Sequence, residues 1–152
     1  MNYLSIDIGT TGCKAQLFSE EGEILQYLFT EYDFLTLNGY QYVDIHAIEK
    51  HLRQMIASVS EKYEVSSICI SSLGESFVLL DKDDNVLFYP MLYTDARGEK
   101  EAEEIKARIG EENAFLTTGV IPHSMYSISK LLWIKNNYPD IFVKADKVML
   151  MC

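Results

Sequence analysis

Residues 7–14, Asp-Ile-Gly-Thr-Thr-Gly-Cys-Lys, join two apolar runs near the N-terminus. Residues 3–6 before this connection and residues 15–18 after it alternate with the two-residue period of a β-strand. We therefore predict a β-hairpin here, rather than a strand followed by a helix. The distinction between these two arrangements decides which class of phosphate-binding loop is possible.

The connection carries the groups that phosphate binding requires. Glycine lets backbone amides approach phosphate oxygens without a Cβ in the way, and hydroxyls and a lysine add side-chain donors. Gly9 and Gly12 are too close for the loop that ends in Gly-Lys-Ser/Thr, and a dinucleotide loop would need a third glycine at the start of a helix. Asp7 could hold hydrated Mg²⁺, which prefers oxygen ligands. The alternative is a solvated polar turn, because Gly and Thr are ordinary turn residues.

Composition restricts the class of protein. A chain of 152 residues with 48% hydrophobic and 24% charged residues suits one globular domain. The net charge of −10 argues against partners such as nucleic acid or an anionic membrane. No stretch has the length or pattern of a membrane span or a signal peptide, and Cys13, Cys69 and Cys152 lack metal-ligand spacing. We therefore expect a cytoplasmic protein with free thiols.

The first half of the chain has clear secondary-structure signals. Alternation and turn residues predict three antiparallel strands, over residues 2–8, 13–19 and 24–30. Apolar residues at intervals of three or four predict an amphipathic helix over residues 45–63, with Asp44 as its N-cap. Residues 67–71 are short and almost entirely apolar or small, which predicts a buried strand beside the first one.

The second half is predicted to contain a hairpin, two helices and a final strand. The expected ranges are 77–80 with 86–89 for the hairpin, 98–109 and a region around 128–134 for the helices, and 148–152 for the strand. Natural domains seldom stop in the middle of an apolar strand, because its backbone donors need neighbours on both sides. We therefore expect either that this chain is the first part of a longer protein or that an unexpected contact stabilises its end.

The order of a strand, an Asp-x-Gly-Thr-Thr loop, two strands, a helix and a buried strand resembles the ribonuclease H-like domain of actin, hexokinase and the sugar kinases. Residues 68–76, 78–83 and 90–97 resemble successive blocks of the FGGY carbohydrate kinases, as do residues 118–119 and 129–134. The similarity covers nearly the whole chain in the order of the family. It implies an α/β, ribonuclease H-like (actin/hexokinase-type) domain that is truncated. Its sheet would be mixed, with three antiparallel N-terminal strands and flanking helices.

The resemblance also implies a function. Residues 1–152 would be the incomplete N-terminal domain of a sugar kinase, without its C-terminal nucleotide-binding domain. The complete enzyme would transfer the γ-phosphoryl group of MgATP to a hydroxyl of a sugar or polyol in a cleft.

The nucleotide-binding residues follow from the same resemblance. Asp7 would be the metal-associated carboxylate, reaching Mg²⁺ through water. Gly9, Thr10, Thr11 and Lys14 would face the phosphates of ATP. Phosphoryl transfer depends on positioning and charge neutralisation, which such a loop supplies.

The substrate contacts implied by the resemblance are Glu75, Ser76, Asp95 and Arg97. Glu75 lies where glycerol kinase-like members place an acidic substrate-contacting residue, whereas xylulokinase-like members have Gly-Gln-Met-His-Gly. A carboxylate suits hydrogen bonding to vicinal hydroxyls, and the alternative is a solvated loop glutamate. Asp95 and Arg97 match the Asp-x-Arg block of the family, and either contact the sugar or pair with each other.

The base of these kinases is an aspartate well downstream, in an Asp-Ala/Cys-Gly type segment that lies beyond this sequence. We therefore expect no catalytic residue in this chain and no activity from it alone. The expected partners are the sugar or polyol and the missing C-terminal domain, and a homodimer is left open. Two alternatives remain: a non-catalytic binding or regulatory remnant of the same fold, and a kinase of the superfamily with a non-sugar substrate, as in acetate kinase-like relatives.

Overall fold

A computed structural model describes residues 1–151, and Cys152 lies outside the described residues. The chain forms two compact units: the first is Met1–Gly74 together with Met151, and the second is Glu75–Leu150. The strands are β1 Tyr3–Ile8, β2 Gly12–Phe18, β3 Ile24–Glu31, β4 Leu35–Leu37, β5 Tyr40–Tyr42, β6 Ser67–Ser71, β7 Phe77–Leu80, β8 Val86–Phe88 and β9 Lys147–Leu150. The helices are α1 Ile45–Ser60, α2 Glu99–Ile109, α3 Glu111–Thr118, α4 Ser127–Asn137 and α5 Pro139–Lys144.

The first unit contains a mixed sheet of strand order β3-β2-β1-β6. β1 and β2 pair in antiparallel register, with Ile8 opposite Cys13, so the predicted hairpin around the Gly-Thr connection is confirmed. β3 pairs antiparallel with β2, and β6 pairs parallel with β1. Leu4, Ile6 and Ile8 are buried while their neighbours along β1 are more exposed, as expected for a strand with one face in the core.

Helix α1 covers one face of this sheet through its contacts with β2 and β3. The side chain of Asp44 accepts hydrogen bonds from the amides of His46 and Ala47, which confirms it as the N-cap. The helix ends at Ser60, three residues before the predicted end. Its buried residues, which pack into the core of the unit, are Ile48, Met55 and Val59.

The position of β6 is confirmed, but its predicted burial is wrong. Every residue of this strand is exposed, and Ile68 and Ile70 expose 47% and 54% of their surface. β6 is one of the two edge strands of the sheet, and α1 packs against β2 and β3, toward the other edge. An apolar sequence shows that a strand can be buried, whereas burial itself depends on which element covers it.

The second unit contains a three-stranded antiparallel sheet of order β8-β7-β9. The β7–β8 hairpin and helix α2 follow the predictions closely. β9 begins at Lys147 and ends at Leu150, so it covers residues 148–150 of the predicted final strand, whereas Met151 lies after the strand and Cys152 lies outside the described residues. Helices α2 and α4 pack against each other, and α5 contacts both α4 and β8. Together these elements bury an apolar core whose members include Phe77, Leu79, Phe88, Ala102 and Ile134.

Three features are absent from the predicted set: the β4–β5 hairpin, helix α3 and helix α5. Asn38 and Gly39 both have positive φ, at 52° and 81°, which gives the two-residue turn that joins short antiparallel strands. Pro139 stands in the first turn of α5, where its missing amide hydrogen costs no helical hydrogen bond. All three features are short, so their periodicity carries little signal.

Candidate functional site

Asp7 lies near the end of β1, where two neighbouring strands place polar residues beside it. Lys14 of β2 and Ser71 of β6 are its register partners on the two sides. The Ser71 hydroxyl donates to Oδ1 of Asp7 at 2.9 Å, and Lys14 Nζ lies 3.7 Å from Oδ2. Asp7 and Lys14 are each about half exposed. The sheet therefore presents a fixed carboxylate and an ammonium to solvent side by side.

The turn from Gly9 to Gly12 follows directly. The Gly9 amide donates to the carbonyl of Gly12 at 3.0 Å, which closes the turn. Among the described residues, none accepts a hydrogen bond from the amides of Thr10 or Thr11. These two amides are therefore available to an added acceptor, which is the property expected of an anion-binding turn.

Gly12 is required by its surroundings. A Cβ on this residue would lie 2.6 Å from the carbonyl oxygen of Thr30 and 2.8 Å from the ring of Phe29, both from β3. No real Cβ tolerates such a contact with backbone, so the close approach of β2 and β3 fixes a glycine at the end of the turn.

One residue beside this turn was not anticipated from the sequence. Tyr32 directly follows β3, and its hydroxyl donates to the carbonyl oxygen of Gly9. The contact joins residues 23 positions apart, and no local sequence motif predicts it. The sequence offers only a tyrosine at the end of a strand, which is a common occurrence.

Glu75 belongs to the second unit, and helix α4 engages its carboxylate. Oε2 of Glu75 accepts from the backbone amide of Ser127 at 2.9 Å and from the Ser127 hydroxyl at 3.0 Å. Ser127 is the first residue of α4, so the carboxylate sits at the positive end of the helix dipole. The side chain is therefore held in place, unlike a solvated loop glutamate.

Ser76 is buried, with 2% of its surface exposed. Its hydroxyl donates to the carbonyl oxygen of Met91 at 2.9 Å. That contact satisfies a backbone carbonyl and ties the start of β7 to the segment after β8. The side chain of Ser76 is thus already used within the protein.

Asp95 and Arg97 form a buried ion pair, with their side chains 14% and 7% exposed. Nε of Arg97 lies 2.9 and 3.0 Å from the two carboxylate oxygens, and its backbone amide also donates to Oδ1. The guanidinium stacks over the ring of Trp133, 5.2 Å from its centre. Burial acts to raise the pKa of Asp95, but the hydrogen bonds and charge of Arg97 outweigh it, so the pKa lies below its ordinary value.

Lys130 of α4 completes this polar cluster and was not among the predicted site residues. It is fully buried, and its ammonium donates to the carbonyl oxygen of Ser124. Burial lowers the pKa of Lys130, while the carboxylates of Asp95 and Glu75 act in the opposite sense. Lys130 lies four residues before the fully buried Ile134, so the two share a helix face. This spacing is the signal in the sequence that could have predicted the burial of Lys130.

A cavity of about 440 Å³ adjoins Glu75 in the second unit. The polar lining residues are Glu75, Thr118, Tyr126 and Ser127, whereas Ile105, Ile109 and other apolar side chains from α2, α3 and the following loop form most of the wall. Among the described lining residues, Glu75 supplies the one carboxylate, which suits hydrogen bonds from the hydroxyls of a ligand.

Within residues 1–151, no group of three or more His, Cys, Asp or Glu side chains is arranged to hold a metal ion directly. A single carboxylate such as Asp7 suits a hydrated Mg²⁺, which keeps several of its own waters.

No helix among the described residues has the length and apolar character needed to cross a membrane.

The sequence model of the N-terminal domain of the FGGY family of carbohydrate kinases matches residues 2–152. The chain belongs to this FGGY family. Among curated relatives, a gluconokinase of Bacillus licheniformis is 34% identical over 95% of the chain, and a xylulose kinase of Lactococcus lactis is 28% identical over 97%. The FGGY chain spans only 29% and 30% of the lengths of these two relatives.

Solved structures agree with this assignment. The gluconate kinase of Lactobacillus acidophilus matches 97% of the FGGY chain with a TM-score of 0.87 at 26% identity, and the chain covers 31% of that structure. A xylulose kinase of Brucella ovis matches 99% with a TM-score of 0.82 at 30% identity, with 32% of that structure covered. The expected ribonuclease H-like fold class, with its mixed sheet, is thereby confirmed.

Proposed function

We propose that the full-length protein containing this chain is a carbohydrate kinase that transfers the γ-phosphoryl group of MgATP to a hydroxyl of a sugar or polyol. The observation that carries the proposal is the group formed by Asp7, Lys14 and the two amides of the adjacent turn, in a chain of the FGGY family. The named activities of the relatives, gluconokinase and xylulose kinase, support the reaction class.

The residues of the first unit fit a nucleotide phosphate and its metal. Asp7 would hold Mg²⁺ through water, while Gly9, Thr10, Thr11 and Lys14 would contact phosphate oxygens. Bound Mg²⁺ neutralises charge on the phosphates during transfer. Ser71 keeps Asp7 oriented by donating to Oδ1, which leaves Oδ2 to Lys14 and to water. The open amides of the turn add donors that need no reorganisation when an anion binds.

The second unit would contact the sugar or polyol through Glu75. One carboxylate oxygen is held by Ser127, which leaves Oε1 to accept from a substrate hydroxyl. Ser76, Asp95 and Arg97 were expected to bind substrate as well. Their side chains are buried and bonded within the protein, so we propose that they support the wall that carries Glu75.

The proton acceptor for the reacting hydroxyl would come from the part of the protein beyond residue 152, together with the adenine-binding domain. A positioned base contributes about a hundredfold to ten-thousandfold in rate. We therefore propose that the 152-residue chain alone is catalytically inert.

The two described thiols, Cys13 and Cys69, form no disulfide, which supports a cytoplasmic location. Light scattering of the full-length protein would test the homodimer.

The deciding experiment is an ADP-release assay of the full-length protein with MgATP and a panel of gluconate, xylulose, rhamnulose and glycerol. The Asp7→Asn variant and a matched Asp83→Asn control, an exposed aspartate on the β7–β8 turn, would be measured beside it. Turnover that is lost in Asp7→Asn and kept in the control supports the proposal. Absence of turnover across the panel favours a non-catalytic remnant of the same fold.

A further inference from the structure

The Tyr32 hydroxyl donates a hydrogen bond to the carbonyl oxygen of Gly9. That carbonyl and the amide of Thr10 belong to one planar trans peptide, in which the C=O and the N–H point in opposite directions. Whatever fixes the Gly9 carbonyl therefore fixes the direction of the Thr10 amide. Because the Gly9 carbonyl points toward the Tyr32 hydroxyl, the Thr10 amide points away from Tyr32.

This peptide needs an external restraint because of the residue before it. A glycine has no Cβ to limit its ψ angle, so the peptide that follows Gly9 can rotate over a wider range than it could after another residue. The hydrogen bond between the Gly9 amide and the Gly12 carbonyl holds the peptide on the other side of Gly9. The Tyr32 contact is what holds the Gly9–Thr10 peptide itself.

The surroundings of Tyr32 keep its hydroxyl in the donor state. The side chain is partly buried, and it lies within hydrogen-bonding reach of the thiol of Cys13, which is itself buried. Burial raises the pKa of Tyr32 far above its usual range, and the nearby groups of Cys13 and Asp7 add to that effect. The phenol thus stays protonated through the pH range in which a kinase works.

We infer that Tyr32 is a positioning residue for the phosphate-binding turn, which orients the Thr10 amide toward a nucleotide phosphate. The inference rests on the proposed kinase function. The inference predicts different effects on the two substrates. Tyr32 and the turn both belong to the first unit, whereas Glu75, the proposed sugar contact, belongs to the second. Loss of the hydroxyl should weaken the use of MgATP and leave the use of the sugar unchanged.

The test compares Tyr32→Phe with Tyr27→Phe in the full-length protein. Tyr27 lies on β3, five residues before Tyr32; it is 54% exposed, and its hydroxyl makes no hydrogen bond with any of the described residues. Both variants lose one phenol oxygen, and only the first loses the contact with Gly9. We expect Tyr32→Phe to raise KM for MgATP about three- to tenfold, the usual effect of one lost hydrogen bond, with KM for the sugar unchanged. Amide hydrogen exchange should become faster at residues 9–12 in this variant alone.

Two results would overturn the inference, and they are distinguishable. If the wild-type protein phosphorylates a sugar and Tyr32→Phe keeps the wild-type KM for MgATP, the positioning role is wrong while the kinase function stands. If the wild-type protein turns over no substrate of the panel, the proposed function fails and the inference fails with it. Equal rises in both KM values would show a general structural role and would also contradict the inference.

Discussion

The backbone amide of Ser127 donates to Oε2 of Glu75 at 2.9 Å, across 52 positions of the sequence. The same oxygen accepts from the Ser127 hydroxyl, so a residue that we propose as a substrate contact also stabilises the first turn of α4. One carboxylate therefore has a structural task and a proposed binding task.

Replacing Glu75 by Ala should affect both tasks. Loss of the contact at the start of α4 should lower the free energy of unfolding by about 0.5–2 kcal/mol, as for other residues that cap helix N-termini. KM for the sugar should rise in the full-length protein while KM for MgATP stays the same. Urea denaturation and steady-state kinetics measure the two effects. Glu23→Ala, at an exposed turn, is the control for loss of a glutamate, and equal behaviour of the two variants would contradict the assignment.

The contact between Ser71 and Asp7 predicts a selective kinetic effect. Ser71→Ala removes the hydroxyl that donates to Oδ1 of Asp7 at 2.9 Å, so the carboxylate should become less well oriented. We expect kcat/KM for MgATP to fall about three- to tenfold, in proportion to one hydrogen bond. Ser67→Ala, at the other end of the same strand, removes an identical group far from Asp7 in the register. A similar loss in both variants would mean that β6, rather than the Asp7 contact, is responsible.

Gly12→Ala should destabilise the protein because the added methyl group meets the Thr30 carbonyl at 2.6 Å. Forced contacts of this kind cost about 1–3 kcal/mol through shifts of the backbone. The midpoint of thermal unfolding reports the change. Gly74→Ala is the matched control, since a Cβ there would have no neighbour within 4 Å. Unchanged stability in Gly12→Ala would show that β2 and β3 separate easily at this point.

The Asp95–Arg97 pair predicts how stability depends on pH. Burial opposes ionisation of Asp95, but the hydrogen bonds and charge of Arg97 prevail and lower its pKa in the folded protein. The carboxylate therefore contributes stability that is fully present above the unfolded pKa of about 4 and is lost as the pH falls through the folded pKa. Asp95→Asn should lower the free energy of unfolding by about 3 kcal/mol at neutral pH and by progressively less in acid.

Urea titrations between pH 7 and pH 3 measure this dependence. The exposed Asp33→Asn serves as the control, because it removes a carboxylate without touching the pair. Parallel stability curves for the wild type and Asp95→Asn across that range would contradict the assignment of the acid-dependent contribution to Asp95.

The sequence predicted best where local patterns decide the structure. The alternation in β1 and β2, the glycines between them and the cap at Asp44 all act over a few residues, and the structure reproduces them. The short elements β4, β5 and α5 escaped because three to six residues hold too little periodicity.

The candidate site was predictable in composition but less so in arrangement. The polar residues at positions 7–14 could be named from the sequence, and their adjacency across β1 and β2 follows from the hairpin. The contacts of Tyr32 with Gly9, of Glu75 with Ser127, and the burial of Lys130 depend on tertiary packing between distant segments. No periodic pattern encodes such contacts, since each side chain alone would suit a surface position equally well.

The exposed strand β6 also has a practical consequence for handling the 152-residue chain. Its sequence, Ser-Ile-Cys-Ile-Ser, contains no charge or proline, and its outer edge offers unpaired backbone groups to any second molecule. Purified fragments are therefore expected to aggregate by edge-to-edge strand pairing as their concentration increases. The substitution Ile70→Lys would place a charge on this edge strand and so oppose strand pairing between molecules. The fragment should then be easier to concentrate for spectroscopy.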